Sequence, residues 1–372
     1  MISRVLITGG AGFVGSHLAD ELLAHGYEVR VLDNLCKQVH GAAAKRPDYL
    51  DADVELIIGD VRDSDALARS LKGVDAVFHL AAAVGVGQSM YEIENYTRIN
   101  GIGTATLLEA LAGKPLERLI VASSMSIYGE GLYRSVTGAL VDGHERSMEQ
   151  LKRHRWDLHD GHGQPLRAVP TPETKTAALS SVYAISKFLQ ERLCLTVGRA
   201  YNIPTVGLRF FNIYGTRQAL SNPYTGVLAI FASRFLNNKP PLINEDGRQR
   251  RDFVSVHDVA RACRMAMEAP DAAGQVFNIG SGTHHSVLQI ASELARVLGK
   301  ERLEPEITGR YRMGDIRNCF ADISLARKVL GYEPQIALQD GLAELAAWLE
   351  GRTAIDGLAR ACNELETRGL TV

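Results

Sequence analysis

A tyrosine and a lysine four residues apart, with a serine earlier in the chain, are the side chains best suited to chemistry. Tyr183 and Lys187 lie in the segment YAISK, and a helix there places the phenol and the ammonium on one face. A positive charge near a phenol lowers its pKa, and a phenolate can take a proton from a hydroxyl near neutral pH. Ser124 follows the apolar run at 119–122 and is placed to hold that hydroxyl by a hydrogen bond.

The segment TGGAGFVGS, residues 8–16, has the spacing of a phosphate-binding turn. Gly9, Gly12 and Gly15 stand between an apolar run and a helical pattern. Glycines there allow a tight turn and a close approach of the backbone to a pyrophosphate, which sits on amides at the helix N-terminus. Asp33 comes 18 residues after Gly15, where a carboxylate accepts hydrogen bonds from ribose hydroxyls and repels a 2′-phosphate. The pattern predicts NAD rather than NADP, with a plain turn residue as the alternative interpretation of Asp33.

The elements that must position these residues alternate along the first two hundred positions. Strand-like runs occur at 5–7, 27–32, 54–58, 76–80, 119–122 and 205–208, with helical patterns between several of them. This alternation predicts an α/β fold with a parallel sheet covered on both faces, and ligands collect at the carboxyl ends of such strands. After about residue 210 the alternation weakens, which predicts a smaller lobe over that edge of the sheet.

Composition excludes several classes of protein. A chain of 372 residues suits one large α/β domain with a second lobe, and 46% hydrophobic with 23% charged residues is ordinary for a globular protein. The net charge of −2, without a basic block, argues against a nucleic-acid partner. No apolar run approaches the ~18 residues of a membrane span, and the start of the chain lacks a signal-peptide pattern. The five scattered cysteines are typical of reduced thiols, so we expect a cytoplasmic protein.

With these motifs in hand, the chain resembles the extended short-chain dehydrogenases/reductases, in the branch of NAD-dependent nucleotide-sugar epimerases and dehydratases. The matching segments are TGGAGFVG (8–15), GDVRD (59–63), HLAA (79–82), NGIGT (100–104), SSMSIYG (123–129), YAISK (183–187), RFFNIYG (209–215), RRDFVSVHDVA (250–260) and YRMGDI (311–316). We expect a Rossmann-type doubly wound parallel sheet with a smaller C-terminal α/β substrate lobe. The expected divisions are a NAD-binding domain at 1–205 with an insertion at about 130–176, a substrate lobe at 206–350, possibly interleaved with the first, and a helical tail at 351–372, where no chemistry is evident.

The resemblance implies a set of NAD contacts. In it, Asp60 and Val61 flank the adenine and residues 80–82 lie along the cofactor. The residues expected to contact NAD are Gly9, Gly12, Phe13, Val14, Gly15, Asp33, Asn34, Asp60, Val61, Leu80, Ala81, Ala82, Tyr183 and Lys187.

The resemblance also implies contacts to a nucleotide-diphosphate sugar. Asn212 is expected near the sugar or diphosphate, and Arg251 and Arg312 on the diphosphate, because the planar guanidinium binds phosphate oxygens bidentately. A surface ion pair is the alternative for each arginine. Ser124 is expected to bind the reacting hydroxyl, and Ser126 joins it if strand alternation continues past residue 124.

The residues after Ser124 bear on the reaction. Family members that eliminate water resemble one another in carrying an Asp-Glu pair there, whereas Met125 and Ser126 are poor proton carriers. Members that epimerise carbons beside a ketone use a nearby cysteine, which is missing here. The resemblance then favours a 4-epimerase for UDP- or dTDP-hexoses or deoxyhexoses, in which C4 is oxidised, the 4-keto sugar rotates and hydride returns to its other face. The alternatives are another NAD-dependent sugar-nucleotide enzyme (4,6-dehydratase, decarboxylase or 4-ketoreductase) and, more remotely, a non-catalytic NAD-sensing protein.

The insertion at about 130–176 separates Ser124 from Tyr183 by 59 positions. Related long members carry cysteine pairs there that resemble a small zinc ribbon, whereas this chain has His159 and His162 and no cysteine. Two histidines fall short of the four ligands that zinc favours, even with His144 and His154 nearby, so we predict no metal. The insertion is interpreted as a lid or specificity loop anchored by Trp156. The resemblance also implies a homodimer through helices around 103–111 and 186–195.

Overall fold

The centre of the computed structural model, which describes residues 2–42 and 44–371, is a sheet of seven parallel strands. In chain order they are β1 (Arg4–Thr8), β2 (Glu28–Asp33), β3 (Glu55–Ile58), β4 (Ala76–His79), β5 (Arg118–Ser124), β6 (Thr205–Phe210) and β7 (Val276–Ile279). Their order across the sheet is β7-β6-β5-β4-β1-β2-β3. The order reverses between β1 and β4, and ligands of such sheets bind in the crevice at this switch point. The predicted doubly wound fold is confirmed.

Alternate side chains of β1 enter two different cores. Val5 and Ile7 pack in one hydrophobic cluster, whereas Leu6 packs in a second cluster on the opposite face of the sheet. All three side chains are fully buried, and each such burial contributes about 1.5–3 kcal/mol. Two buried faces explain why the strands of this sheet are continuous apolar runs rather than alternating ones.

Helices cover the sheet and build the rest of the chain. The α-helices are Phe13–Ala24, Lys37–His40, Ser64–Ser70, Val86–Ser89, Ile93–Tyr96, Gly103–Leu111, Met148–Lys152, Val182–Ala200, Val227–Leu236, Val256–Glu268, Val287–Val297, Ser324–Leu330, Leu338–Leu349 and Leu358–Glu366. Thr97–Ile102 is a π-helical turn, and Met125–Tyr128 and Pro270–Ala272 are 3-10 turns. Among the helices of the described residues, none has both the length and the apolar content needed to cross a membrane.

The part of the chain after β6 forms small strand pairs beside the carboxyl edge of the main sheet. Asn212–Tyr214 pairs in parallel with Phe253–Ser255, and Leu242–Ile243 pairs in parallel with Glu306–Ile307. Arg250–Arg251 lies between His285–Ser286 and Asn318–Cys319. The chain then returns to the main sheet through β7, so the two halves of the sequence share one sheet.

The insertion folds into a small sheet of its own. Leu132–Arg134 lies between Leu140–Asp142 and Arg167–Val169, and both pairings are antiparallel. Tyr133, Leu158 and Leu166 form its core. Trp156 is buried, as expected, and packs with Leu151 and with Tyr311 of the C-terminal part. The insertion is therefore an ordered module that rests on the C-terminal part.

A buried cluster of charges joins the insertion to that part. Arg146 of the insertion contacts Glu245 at 2.8 Å, and Arg317 contacts the same Glu245 at 2.9 Å and Asp246 at 2.5 Å. Asp157 of the insertion lies 2.9 Å from Arg317. The side chains of Arg146, Arg317 and Glu245 are almost completely buried. Removing one member of such a cluster leaves a partner charged and unpaired.

Replacing Arg317 with methionine is therefore expected to lower the free energy of unfolding by about 3–5 kcal/mol. The loss arises because the almost completely buried Glu245 keeps only Arg146 as a partner and Asp246 loses its contact with Arg317. Denaturant unfolding of the two chains measures the difference. Arg296→Met is the matched control, since its ion pair with Glu293 is exposed and is worth about 0–1 kcal/mol. Equal effects of the two substitutions would contradict the role of burial.

Candidate active site

A cleft of about 930 Å³ opens at the carboxyl ends of β1, β2, β4 and β5, and the C-terminal part forms its other wall. Every residue named from the sequence as a contact of cofactor or substrate lines it. They are Gly9, Gly12, Phe13, Val14, Gly15, Asp33, Asn34, Asp60, Val61, Leu80, Ala81, Ala82, Ser124, Ser126, Tyr183, Lys187, Asn212, Arg251 and Arg312. The fold thus brings positions up to three hundred residues apart to one cavity.

The glycine-rich turn has the shape needed for a pyrophosphate. Gly9 has a φ of +72°, and a Cβ at Gly15 would come within 2.5 Å of Gly10 Cα. A Cβ at Gly12 would meet only the Gly9 carbonyl oxygen, at 3.3 Å, so it would project into the cleft. Helix Phe13–Ala24 begins at this point without a side-chain cap, which leaves amides of its first turn for an anion. The turn fits the pyrophosphate of NAD.

Asp33 and Asp60 form the end of the cleft expected to hold adenosine. The Asp33 carboxylate accepts hydrogen bonds from the amides of Ala11, at 3.0 Å, and Leu35, at 2.9 Å. Asp33 therefore ties the glycine-rich turn to β2, in addition to any contact with ribose. Asn34 donates to Asp60 at 3.0 Å, and hydrogen bonds from Arg62 lower the pKa of Asp60 to about 2.

Tyr183 and Ser124 meet where β5 ends. Ser181 caps helix Val182–Ala200 by accepting from the amide of Ala184 at 3.1 Å, which places Tyr183 in the first turn. The phenol of Tyr183 and the hydroxyl of Ser124 both line the cleft at this point, and Ser124 is close enough to act on the pKa of the phenol. Burial raises the pKa of Tyr183, and Ser124 acts in the opposite direction.

Ser126 lies beside Ser124 for a different reason from the one predicted. Strand alternation does not continue past residue 124, because β5 ends there and Met125–Tyr128 forms a 3-10 turn. The turn brings the Ser126 hydroxyl to 3.1 Å from that of Ser124, and the amide of Ser126 also donates to Ser124 Oγ. Both hydroxyls therefore face the cleft as a pair.

Lys187 lies one turn after Tyr183 and is buried. Its ammonium donates to Gln190 Oε1 at 2.7 Å, and burial lowers its pKa to about 8. We expected Lys187 to lower the pKa of Tyr183, and this expectation is wrong when only the groups of the protein act on the phenol. Burial outweighs their other effects and raises the pKa of Tyr183. The physical reason is that an ionised phenol in a closed site loses more hydration than the neighbouring residues restore.

Asn212 has an unused hydrogen-bond acceptor at the cleft. Its Oδ1 is buried and has no partner within the described chain, as is also true of Gln218 Oε1 and Gln249 Oε1. All three residues line the cleft. Buried acceptors without a donor are costly, so these oxygens favour a ligand rich in hydroxyl or N–H groups. The two glutamines have no motif spacing and were missed in the sequence.

The two arginines line the cleft, but both contact protein groups. Arg251 donates to the carbonyls of Ile316 and Arg317. Arg312 pairs with Asp315 at 2.6 Å, as the ion-pair alternative anticipated. A guanidinium has five N–H donors, so each side chain keeps donors for a diphosphate.

The C-terminal tail, whose sequence has no evident chemistry, contributes to the cleft. Leu358, Ala361, Cys362 and Leu365 of the last helix line the cavity. Glu364, which lies in the same helix, accepts hydrogen bonds from the hydroxyls of Tyr91, at 2.6 Å, and Tyr224, at 2.7 Å. Spacing along the tail gives no sign of this contact, because the partners lie 140 or more positions away.

The insertion contributes no lining residue to this cleft between 130 and 176, so the interpretation as a lid over it is wrong. Its three-stranded sheet and the buried charge cluster hold it against the C-terminal part instead. His159 lies near the backbone carbonyl of Asp157, at 3.1 Å, and His162 is exposed. Within residues 2–42 and 44–371 no three His, Cys, Asp or Glu side chains are grouped so as to hold a metal ion.

This chain is similar to a known protein family and to two proteins of known name. The family model described as the NAD dependent epimerase/dehydratase family matches residues 5–280. The dTDP-L-rhamnose 4-epimerase of Burkholderia thailandensis is 36% identical over 351 residues, 93% of this chain and 94% of the relative. The UDP-N-acetyl-alpha-D-glucosaminuronate decarboxylase of Bacillus cytotoxicus is 30% identical over 353 residues, 94% of this chain and 98% of the relative.

A solved structure is similar over nearly the whole chain. The UDP-glucuronic acid 4-epimerase from Bacillus cereus, in complex with UDP-glucuronic acid and NAD, matches with a TM-score of 0.76 at 28% identity. The match covers 93% of this chain and 99% of that one.

Proposed function

The chain belongs to the NAD-dependent epimerase/dehydratase family, and from that premise we propose that it is a nucleotide-sugar 4-epimerase. The observation that carries the proposal is the meeting of Ser124, Tyr183 and Lys187 at one end of a cleft whose other end fits a dinucleotide. The relatives described above that are named 4-epimerases match over 93% of the chain.

The proposed chemistry uses few protein groups. Tyr183 takes the proton of the sugar 4-hydroxyl, and Ser124 holds the same oxygen by a hydrogen bond. Lys187 supplies a positive charge one helical turn from the phenol. NAD, when bound, supplies a reversible acceptor for the two electrons of C4, and its positive ring favours the phenolate. The same tyrosine returns the proton after the ketone has presented its other face.

Met125 and Ser126 support epimerisation over elimination of water. Elimination needs an acid for the leaving hydroxyl and a base for carbon, and Met125 has no proton to exchange. The hydroxyl of Ser126 is already paired with Ser124. The carboxylates of Glu245 and Asp315, which also line the cleft, are bound by arginines. Reversible oxidation at C4 requires none of these groups.

The substrate class follows from the lining of the cleft. A nucleotide-diphosphate sugar offers phosphate oxygens to Arg251 and Arg312 and hydroxyl groups to the free oxygen of Asn212. We propose UDP- or dTDP-linked hexoses or deoxyhexoses as substrates. The relative named dTDP-L-rhamnose 4-epimerase supports a deoxyhexose.

A panel of UDP- and dTDP-sugars, incubated with the purified protein without added NAD, tests the proposal. We expect one or more sugars to give their 4-epimers by NMR, with no net oxidation and no change in mass. Release of carbon dioxide from a uronic acid would favour the second candidate, a decarboxylase, which the Bacillus cytotoxicus relative supports. Loss of water, or turnover only with added reductant, would overturn the epimerase.

We also propose that the protein is a homodimer. Apolar side chains are exposed on two neighbouring helical segments: Ile102 is 56% exposed, Ile185 50% and Leu189 38%. A Cβ on Gly101 would lie 3.2 Å from Leu189, so the two segments present one continuous surface. Exposed apolar surface of this kind is typical of an interface between subunits.

Replacing Ile185 with lysine is expected to convert the dimer to a monomer, because a charge would be buried at the centre of this surface. Size-exclusion chromatography with light scattering measures the mass. Ile355→Lys is the control, since Ile355 is 77% exposed and lies in the tail. A wild-type monomer, or a dimer that survives Ile185→Lys, would contradict the proposed interface.

A further inference from the structure

A buried glutamine accepts a hydrogen bond from Lys187. Gln190 lies one turn further along helix Val182–Ala200, and its Oε1 is 2.7 Å from Lys187 Nζ. Gln190 is fully buried and Lys187 is 3% exposed. An ammonium removed from water needs acceptors in place of its hydration, and this amide oxygen supplies one.

The direction of the Gln190 amide is set from its other side. Its Nε2 lies 2.9 Å from Thr104 Oγ1 and 3.4 Å from the carbonyl oxygen of Ala81. Both partners can accept, and a carbonyl cannot donate. If the amide were reversed, its oxygen would face the Ala81 carbonyl and its NH₂ would face the ammonium. The hydrogen-bond pattern therefore places the oxygen toward Lys187.

The same cluster reaches the glycine-rich turn through His79. Its Nδ1 is 2.8 Å from Thr8 Oγ1 and its Nε2 is 2.8 Å from Thr104 Oγ1. Thr8 directly precedes Gly9. Burial lowers the pKa of His79 to about 3, so the ring is neutral and adds no second positive charge near Lys187. Either neutral tautomer leaves a lone pair on Thr104 for Gln190.

Few charges compete for Lys187. The titratable groups that interact with its charge are Glu191 and Cys194 on its own helix and His79 on β4. Tyr183 lies one helical turn before Lys187. The Glu191 carboxylate is bound by Arg209, at 2.7 and 2.9 Å, and by the Ser123 hydroxyl at 2.6 Å. Burial raises the pKa of Cys194 to about 12, so its thiol is neutral. The amide of Gln190 is thus the direct hydrogen-bonding partner of the ammonium within the described chain.

We propose that Gln190 is a positioning residue that keeps Lys187 charged and fixed beside Tyr183, an inference that rests on the function proposed above. Gln190 acts through Lys187 and touches neither the substrate nor the reacting atoms. The pKa of Lys187, already lowered to about 8, makes the acceptor important at working pH. Lys187 loses its charge as the pH rises through that value, and losing the acceptor moves this loss to lower pH.

Two substitutions and a direct titration test the proposal. The ¹⁵Nζ NMR signal of Lys187, assigned by its loss in Lys187→Arg, reports the pKa of Lys187. Gln190→Met keeps the volume and removes the acceptor, and we expect the pKa to fall by about one to two units. Gln190→Glu keeps the acceptor and adds a negative charge, so the pKa should rise. The pH at which kcat for epimerisation stops rising should move in the same directions.

Cys194→Ala is the matched control, because Cys194 is equally buried, one turn after Gln190, but accepts no hydrogen bond from Lys187. It should change stability and move the titration far less than Gln190→Met does. An unchanged pKa in Gln190→Met, or an equal shift in Cys194→Ala, overturns the proposal. If Gln190→Met does not fold, Gln190→Glu decides alone, and a pKa that does not rise overturns it. The titration needs no substrate, so it stands even if the 4-epimerase activity is not found.

Discussion

Tyr183→Phe is expected to lower kcat by roughly 10²- to 10⁴-fold, because the substitution removes only the oxygen that we propose takes the proton. The ring remains, so the buried edge-to-face contact with Tyr96, whose ring centroid is 6.4 Å away, is kept. Cofactor binding should also persist, since the glycine-rich turn does not depend on the phenol. Turnover of the active nucleotide sugar and the NAD content of the purified protein measure the two effects.

Tyr96→Phe is the matched control for this substitution. Tyr96 is another buried tyrosine that lines the same cleft, and its hydroxyl donates to Gln88 at 3.2 Å. Loss of that hydrogen bond should cost far less than the loss of the Tyr183 hydroxyl, on the order of tenfold or below. Comparable losses in the two variants would mean that Tyr183 has a packing role rather than a role in proton transfer.

The same residues predict how the rate changes with pH. Burial raises the pKa of Tyr183 above its usual value, so the ionised phenol becomes more abundant as the pH rises. The pKa of Lys187 is lowered to about 8, so its charge is lost while the phenol of Tyr183 is still mostly protonated. We therefore expect the wild-type rate to rise with pH and to level off above about pH 8, where the gain in ionised phenol is offset by the loss of the Lys187 charge. A change of slope that stays in place in Gln190→Met and Gln190→Glu would assign it to a group other than Lys187.

Gly12→Val is expected to abolish cofactor binding while leaving the fold intact. The Cβ of a residue at position 12 meets a single protein atom, the Gly9 carbonyl oxygen at 3.3 Å, and otherwise projects into the cleft. The valine side chain would fill the space where a pyrophosphate approaches the backbone. NAD content by absorbance and enzymatic assay, together with thermal unfolding, separates cofactor loss from misfolding.

Gly161→Val is the corresponding control. A Cβ there meets no atom within 4 Å, and the residue is exposed in the insertion, far from the cleft lining. It should retain NAD and activity. Retention of NAD by Gly12→Val would contradict the assignment of this turn to the pyrophosphate and, with it, the orientation of the cofactor in the cleft.

The sheet and the main positions that line the cleft could be predicted from local sequence. Strand β1 and the glycines after it form a contiguous signal, since a buried strand, a tight turn and a helix start are each encoded by neighbouring residues. Tyr183 and Lys187 are one helical turn apart, so their common face follows from helix geometry. Element boundaries moved by a few residues only, as where β5 continues to Ser124 rather than ending at 122.

Other features could not be predicted because they depend on residues distant in sequence. The insertion forms a small sheet that is held by Arg317, far along the chain, and it does not cover the cleft. The tail lines the cavity because Glu364 meets Tyr91 and Tyr224. No spacing within either segment encodes those partners.

By itself, then, the sequence determined the α/β fold, the glycine-rich turn and the residue types of the proposed reactive centre, because each rests on contacts between near neighbours. Only the tertiary structure decided how those residues are tuned. Burial raises the pKa of Tyr183, and a hydrogen bond turns the ammonium of Lys187 toward Gln190. Hydration and hydrogen-bond geometry are set by all the elements packed around a side chain, so no short stretch of the chain can specify them.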